Sequence, residues 1–87
     1  MKKRATVILY TRPGCHLCEE AKASIHAAGC GDELTLEEIN VDLDPELRER
    51  YGDQIPVVLI NGTKAFKYRV DAREFKRKLQ RLTRDSC

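Results

Sequence analysis

The chain has 87 residues, four cysteines and a formal net charge of +2 at neutral pH. A chain of this length suits one domain, 1–87, which buries roughly 60% of its unfolded surface. The small net charge and an aromatic content of 6% exclude nucleic acid as an expected partner. We expect a monomer. We also expect no membrane partner, because no apolar run approaches the ~20 residues of a spanning helix.

The first predicted elements are a strand, a cysteine-containing loop and a helix. Ala5 to Tyr10 is nearly all apolar, as in a strand covered on both faces. The loop Thr11-Arg12-Pro13-Gly14 leads to a helix over Cys15 to Ala28, which Gly29 ends. A second strand is predicted over Leu34 to Val41. Its apolar residues change phase, which indicates a bulge or an edge position.

The second half of the chain carries three local signals. Asp44-Pro45 predicts the start of a short helix that buries Leu47 and Tyr51. Asn61-Gly62 predicts a type I′ turn between two strands, Pro56 to Ile60 and Thr63 to Tyr68. Asp71-Ala72-Arg73-Glu74 is a capping box. It opens a last helix whose apolar stripe is Phe75, Leu79 and Leu82.

The predicted order is therefore βαβαββα, an α/β fold. The βαβ portion requires parallel pairing with a right-handed crossover, and the hairpin extends the sheet antiparallel. This gives a four-stranded mixed sheet flanked by three helices. Because ligands gather at the carboxyl ends of parallel strands, we expect the Cys15 loop and the turn from Asp42 to Pro45 to share one end of the sheet.

The charges are unevenly distributed along the chain. Residues 32–53 hold nine acids against two bases, and residues 64–84 hold nine bases against two acids. A dipolar surface of this kind can orient a charged partner. A charge run is nevertheless most often a solvated face.

The pair Cys15 and Cys18 carries the chemistry. Two thiols three positions apart at a helix start face the same side and can close a disulfide. Cys15 lies where backbone N–H groups are unpaired and the helix dipole is positive, which stabilises a thiolate. We predict that Cys15 attacks a disulfide and that Cys18 releases the product.

The start of the chain imitates a signal peptide, with basic residues before Ala5 to Tyr10. The apolar part is too short, and Arg12-Pro13 replaces the small cleavage-site residues. A cytoplasmic location is therefore expected. Thiols are kept reduced there, so a CxxC motif indicates redox or metal chemistry rather than a structural bridge.

A metal site is the competing interpretation. Cys15, Cys18, His26 and Cys30 have the spacing C-x2-C-x7-H-x3-C, which offers four soft ligands for zinc. On a continuous helix, however, eleven residues at ~1.5 Å rise place His26 about 16 Å from Cys15. An iron–sulfur cluster shared between two chains is a further alternative, in a binding module whose dithiol does not turn over.

The strand Val7-Ile8-Leu9-Tyr10, the CxxC loop, Ile55-Pro56-Val57 and the closing helix together make the chain resemble the glutaredoxin-like proteins of the thioredoxin superfamily. The resemblance implies a thiol–disulfide oxidoreductase of thioredoxin-like fold, with a redox-active disulfide and no other bound cofactor. It implies a cis Ile55-Pro56 bond beside the dithiol. It further implies that the backbone of Ile55 pairs with an extended substrate.

Two stretches depart from the family pattern. His16-Leu17 replaces Pro-Tyr between the cysteines, and Lys67-Tyr68-Arg69 stands where glutaredoxins have a glycine pair that helps to hold glutathione. The redoxins that serve ribonucleotide reductase and draw on thioredoxin reductase also begin Leu-Tyr-Thr-x-Pro. The reductant, glutathione or thioredoxin reductase, is therefore left open. The expected substrate is a disulfide-containing protein or a small-molecule disulfide.

Other candidate residues keep two interpretations each. Arg12 either steers a thiolate or a substrate carboxylate, or is an exposed loop residue. His16 either favours the thiolate when charged or is solvated. Asp71 is assigned to the helix cap in preference to a substrate amino group. Cys30 and Cys87 are interpreted as inert, with an intermolecular disulfide or thiolation as the alternative.

Overall fold

In the computed structural model, which describes residues 5–29 and 34–83, three helices and a short 3-10 helix surround a sheet. The elements are β1 (Ala5–Thr11), α1 (His16–Ala27), β2 (Leu34–Asn40), the 3-10 helix (Val41–Leu43), α2 (Pro45–Tyr51), β3 (Val57–Ile60), β4 (Thr63–Lys67) and α3 (Ala72–Thr83). The predicted order βαβαββα is confirmed. The 3-10 helix was not predicted, because three residues are too few to show a period.

The four strands form one mixed sheet in the order β2-β1-β3-β4. β1 and β2 are parallel, while β3 is antiparallel to both β1 and β4. It follows that β4 runs in the same direction as β1 and β2. One end of the sheet, called here the site end, therefore collects the segments after β1, β2 and β4 and the segment before β3.

The two capping aspartates and the Asn-Gly turn act as predicted, while the Glu74 side chain of the predicted capping box pairs with Arg77. The Asp44 carboxylate accepts the N–H groups of Glu46 and Leu47 at the start of α2. The Asp71 carboxylate accepts two N–H groups at the start of α3, at 2.9 and 3.0 Å. Asn61 and Gly62 have φ of 49° and 83°, and positive φ at both central positions defines a type I′ turn.

Two details differ from the sequence predictions, and the choice between a bulge and an edge position for β2 is decided. β2 lies at the edge of the sheet, as one of these alternatives predicted, and its register with β1 is unbroken. The irregularity of the sheet falls between Val58 and Leu59 of β3. Leu82 was predicted in the buried stripe of α3 but is 36% exposed, because it lies near the end of that helix. Leu47 and Tyr51 are half-buried rather than buried.

Side chains alternate between two apolar clusters, one on each face of the sheet. The larger cluster joins Val7 and Leu9 of β1 to buried residues of α1 and α3, including Ile25 and Phe75. The smaller cluster contains Tyr10, Val41 and Val57 and is covered by α2. β1 is buried as far as Leu9 on the face of the larger cluster, whereas on its other face Thr6 is exposed, Ile8 is half-buried and Tyr10 is buried. Its packing on both clusters holds the start of the cysteine loop in place.

Tyr10 gives the smaller cluster a pH dependence. Its ring stacks on Tyr51 with centroids 4.6 Å apart. Burial raises the pKa of the Tyr10 phenol above the ordinary value of about 10, and the nearby Tyr51 raises it further. The folded protein therefore favours the neutral Tyr10 phenol, and the buried phenol adds to the free energy of unfolding. That addition is complete below about pH 10 and is lost as the pH rises through the pKa of Tyr10 in the folded state.

We expect the Tyr10→Phe variant to show a shallower fall in the free energy of unfolding above about pH 10 than the wild type. Urea titrations at a series of pH values measure this slope. Tyr68→Phe is the matched control, since Tyr68 is exposed. An equal slope in both variants would show that Tyr10 is not the titrating group.

Candidate functional site

The site end of the sheet brings together four segments that are distant in sequence. They are the cysteine loop after β1, the 3-10 helix after β2, Ile55-Pro56 before β3, and Tyr68 after β4. The strand order places the cysteine loop between the segments that follow the two outer strands. This is the region in which open α/β sheets bind their ligands.

Cys15 and Cys18 are joined in a disulfide, with Cα atoms 5.2 Å apart. Cys15 is the N-cap of α1, and its Sγ accepts the backbone N–H of Cys18 at 3.2 Å. Cys18 lies one turn inside the helix and is only 2% exposed, whereas Cys15 is half-buried. An incoming sulfur can therefore reach Cys15 more easily than Cys18.

The loop that carries Cys15 is held by its own backbone. The N–H of Cys15 donates to the carbonyl of Arg12 at 3.2 Å. Gly14 has a φ of +79°, a conformation that side-chain-bearing residues seldom adopt. The Pro13-Gly14 turn thus connects β1 directly to the N-terminus of α1.

Arg12 makes a two-pronged contact with Asp42 of the 3-10 helix. Its Nε lies 3.1 and 3.0 Å from the two carboxylate oxygens, and its Nη2 lies 3.0 Å from Oδ1. Arg12 is therefore half-exposed and paired, and the sequence had anticipated neither the partner nor the pairing. This pair could have been predicted, because Arg12 and Asp42 have opposite charges and belong to two segments that were expected at the same end of the sheet. This pair ties the cysteine loop to the end of β2.

His16 lies at the first helical position, and its side chain is 88% exposed. Its Nε2 is 3.6 Å from the carboxylate of Glu20, one turn along α1. Of the two interpretations left open by the sequence, this exposure favours a solvated surface residue.

Ile55 and Pro56 enter β3 through a cis peptide bond, the geometry that the resemblance implies. Pro56 is buried, and its carbonyl accepts the N–H of Tyr68 at 2.8 Å. Ile55 is half-buried against the smaller apolar cluster. The sequence did not predict that Tyr68 joins this segment, because the contact is made only when β4 pairs with β3.

A surface groove of about 430 Å³ runs between α1 and the segment that follows Tyr68. Leu17, Ala21 and Ser24 of the helix form one wall, and Arg69 and Val70 form the other. Leu17 precedes Cys18 in the chain, but neither cysteine of the disulfide lines this groove.

Within residues 5–29 and 34–83, no group of three or more His, Cys, Asp or Glu side chains is placed to hold a metal ion. Cys30, the fourth residue of the zinc-like spacing, lies outside the described residues, as does Cys87. No helix of the described chain is long and apolar enough to cross a membrane.

Comparison with known proteins identifies the family of this chain. The sequence profile of the glutaredoxin-like domain matches residues 6–80. The chain is 49% identical over 63 residues to a glutaredoxin of Neisseria meningitidis, an alignment that covers 67% of this chain and 71% of that protein.

Two solved structures are similar in fold. The solution structure of protein Ne2328 from Nitrosomonas europaea superposes with a TM-score of 0.76 at 30% identity, covering 91% of this chain and 95% of that one. A thioredoxin mutant from Halobacterium salinarum superposes with a TM-score of 0.67 at 15% identity, covering 93% and 76%. The second likeness, at this low identity, shows a thioredoxin-like fold alone.

Proposed function

Because the chain belongs to the glutaredoxin-like domain family, we propose that it is a thiol–disulfide oxidoreductase that exchanges disulfides through Cys15 and Cys18. The observation that carries the proposal is the unequal placement of the two sulfurs. Cys15 caps α1 and is partly accessible, while Cys18 is buried one turn inside. The attacking thiol must be reached by the substrate disulfide, whereas the resolving thiol must reach only the sulfur of the attacking cysteine.

The first step forms a mixed disulfide. The Cys15 thiolate attacks one sulfur of the substrate disulfide, a Cys15–S bond forms, and the substrate S–S bond breaks. The electron pair of the broken bond leaves with the other substrate sulfur as a thiolate, which takes up a proton. The N-terminus of α1 and the N–H of Cys18 favour the negative charge on Cys15 before the attack.

The second step releases the substrate. Cys18 loses its proton and attacks the Sγ of Cys15, and the remaining substrate sulfur leaves as a thiolate. The substrate has then gained two electrons and two protons, and the Cys15–Cys18 dithiol has become a disulfide. A thiol reductant must return two electrons and two protons for another cycle, and this is glutathione or a thioredoxin-reductase-type flavoprotein. We place this cycle in the cytoplasm, where such reductants keep thiols reduced.

Three features support a weak dependence on glutathione. Two atoms of the Arg12 guanidinium are engaged by Asp42, which leaves less of it for a substrate carboxylate. Tyr68 and Arg69 add bulk and charge where the family pattern has glycines. The basic residues of α3, such as Arg73 and Lys76, are exposed and suit an acidic protein partner better than a small ligand.

The proposal is tested by coupled turnover of a disulfide substrate with two donor systems, glutathione with its reductase and thioredoxin reductase with its electron donor. We expect turnover with the glutathione system to be roughly tenfold lower, the equivalent of about 1.4 kcal/mol of binding. Turnover with the protein donor should fall as salt rises above about 0.1 M, where the Debye length is ~10 Å. No turnover with either donor would refute the proposed activity. Fast, salt-insensitive turnover with glutathione would refute the donor preference alone.

A further inference from the structure

Exposed apolar side chains are concentrated at the site end of the sheet. Among residues 5–29 and 34–82, three large apolar side chains are exposed: Leu43 at 83%, Tyr68 at 46% and Leu82 at 36%. Leu43 follows β2 and Tyr68 follows β4, whereas Leu82 lies near the opposite end of α3. A single exposed apolar residue is ordinary. Two at the end of the sheet that carries the reactive cysteine are less ordinary.

The strand order determines how Leu43 and Tyr68 are spaced. β2 and β4 are the outer strands, and the cysteine loop leaves β1 between them. Three strand spacings of about 4.8 Å separate the ends of β2 and β4 by about 14 Å. A tripeptide spans at most about 10 Å when fully extended, which is less than the separation of these strand ends. A longer polypeptide can span it.

The backbone at Tyr68 is held in a conformation that a tyrosine seldom adopts. Its φ is +70°, in the left-handed region that favours glycine. Its N–H donates to the carbonyls of Pro56 at 2.8 Å and Gln54 at 3.2 Å. The phenol ring is thereby kept at the surface, close to the segment that enters β3. Strained backbone of this kind is concentrated at active sites and ligand-binding segments.

Leu43 is also held on a fixed turn. The Asn40 side chain accepts the N–H of Asp42 at 2.9 Å, and the N–H of Asp44 donates to Val41 at 3.3 Å. Asp42 in turn holds the Arg12 guanidinium of the cysteine loop. The position of Leu43 relative to Cys15 is thus fixed through a short chain of contacts.

Charges around the two residues have opposite signs. The exposed Asp44 adjoins Leu43, whereas Asp42 on its other side is already paired with Arg12; Lys67 and Arg69 flank Tyr68. A partner with a base opposite Leu43 and an acid opposite Tyr68 is complementary to this surface in one orientation. Complementary charge of this kind selects and orients a partner.

We propose that Leu43 and Tyr68 are the two anchors of a docking surface for a disulfide-bearing protein, which lays its disulfide on Cys15 between them. The inference rests on the proposed function and names the substrate class, a polypeptide disulfide rather than a small one. Its apolar residues contact Leu43 and Tyr68, and its charges complement those around each anchor.

The test measures single-turnover oxidation of the pre-reduced protein, so that no electron donor is needed. The substrates are insulin, as a protein disulfide, and hydroxyethyl disulfide, as a small one. The variants are Leu43→Ser, Tyr68→Asn and the double variant, with Leu82→Ser as the matched control. Asparagine accepts the left-handed backbone at position 68. Tyr68→Gly replaces it if thermal unfolding shows that Tyr68→Asn is not folded.

Each anchor variant should lower the second-order rate constant with insulin by about fivefold or more, and the double variant should lower it further. The rate constant with hydroxyethyl disulfide should not change, and Leu82→Ser should leave both rate constants unchanged. Unchanged rates with insulin would overturn the proposal. Equal losses with both substrates would overturn it too, by showing that the residues act on the dithiol itself. A wild type that reduces neither substrate would refute the proposed function as well.

Discussion

The Cys15→Ser variant should lose disulfide exchange entirely, and the Cys18→Ser variant should accumulate as a mixed disulfide with its substrate. Cys15 lies at the N-terminus of the helix and is partly accessible, whereas Cys18 is buried, so Cys18 cannot begin the reaction. Without Cys18, no adjacent thiol displaces the bound substrate, and the reaction stops at the mixed disulfide with Cys15. Mass spectrometry under non-reducing conditions would detect the adduct.

Two further cysteines require control. Both variants should be made in a Cys30→Ser, Cys87→Ser background, which prevents either thiol from resolving or imitating the adduct. The background protein alone should retain wild-type exchange. An adduct that forms on Cys15→Ser instead of Cys18→Ser would reverse the assignment of roles.

Phe75→Ala should cause a large loss of stability. Phe75 of α3 is fully buried in the larger apolar cluster, and its ring lies 6.4 Å from that of Phe66. Removing a buried phenylalanine ring costs about 3–5 kcal/mol, because a cavity is left where the ring packed. Small domains have only about 5–15 kcal/mol in total. The variant should therefore be marginally folded in urea titrations at room temperature.

Leu82→Ala is the matched control for this prediction. Leu82 occupies the same apolar stripe of α3 in sequence but is exposed. Its truncation should change the free energy of unfolding by no more than about 0.5 kcal/mol. Similar losses for both variants would show that the stripe is buried along its whole length, contrary to the structure.

The sequence predicted the elements whose signals are local. Asp44-Pro45 and Asp71 cap their helices as expected, because a carboxylate at an N-cap needs only the next two or three N–H groups. Asn61-Gly62 determines its turn in the same way. The parallel strands and the antiparallel hairpin followed from the order of these elements.

The features that the sequence did not predict depend on contacts between distant segments. The Arg12–Asp42 pair joins residues 30 positions apart, and the position of Tyr68 depends on a carbonyl of Pro56. The burial of Leu82 was overestimated because helical periodicity does not show where a neighbouring element stops. The reactive cysteines were predictable, since a CxxC motif at a helix start is itself a local signal. The anchors beside them were not.

The most direct test of the central claim, that Cys15 is the nucleophile, is a pulse of iodoacetamide applied to the fully reduced protein at near-neutral pH. Tandem mass spectrometry then gives the labelled fraction at each of the four cysteines as a function of time. Cys15 should be labelled first, because its sulfur is accessible and its thiolate is favoured by the N-terminus of α1, while Cys18 is only 2% exposed. Labelling of Cys18 before Cys15, or of Cys15 no faster than Cys30 and Cys87, would contradict the account.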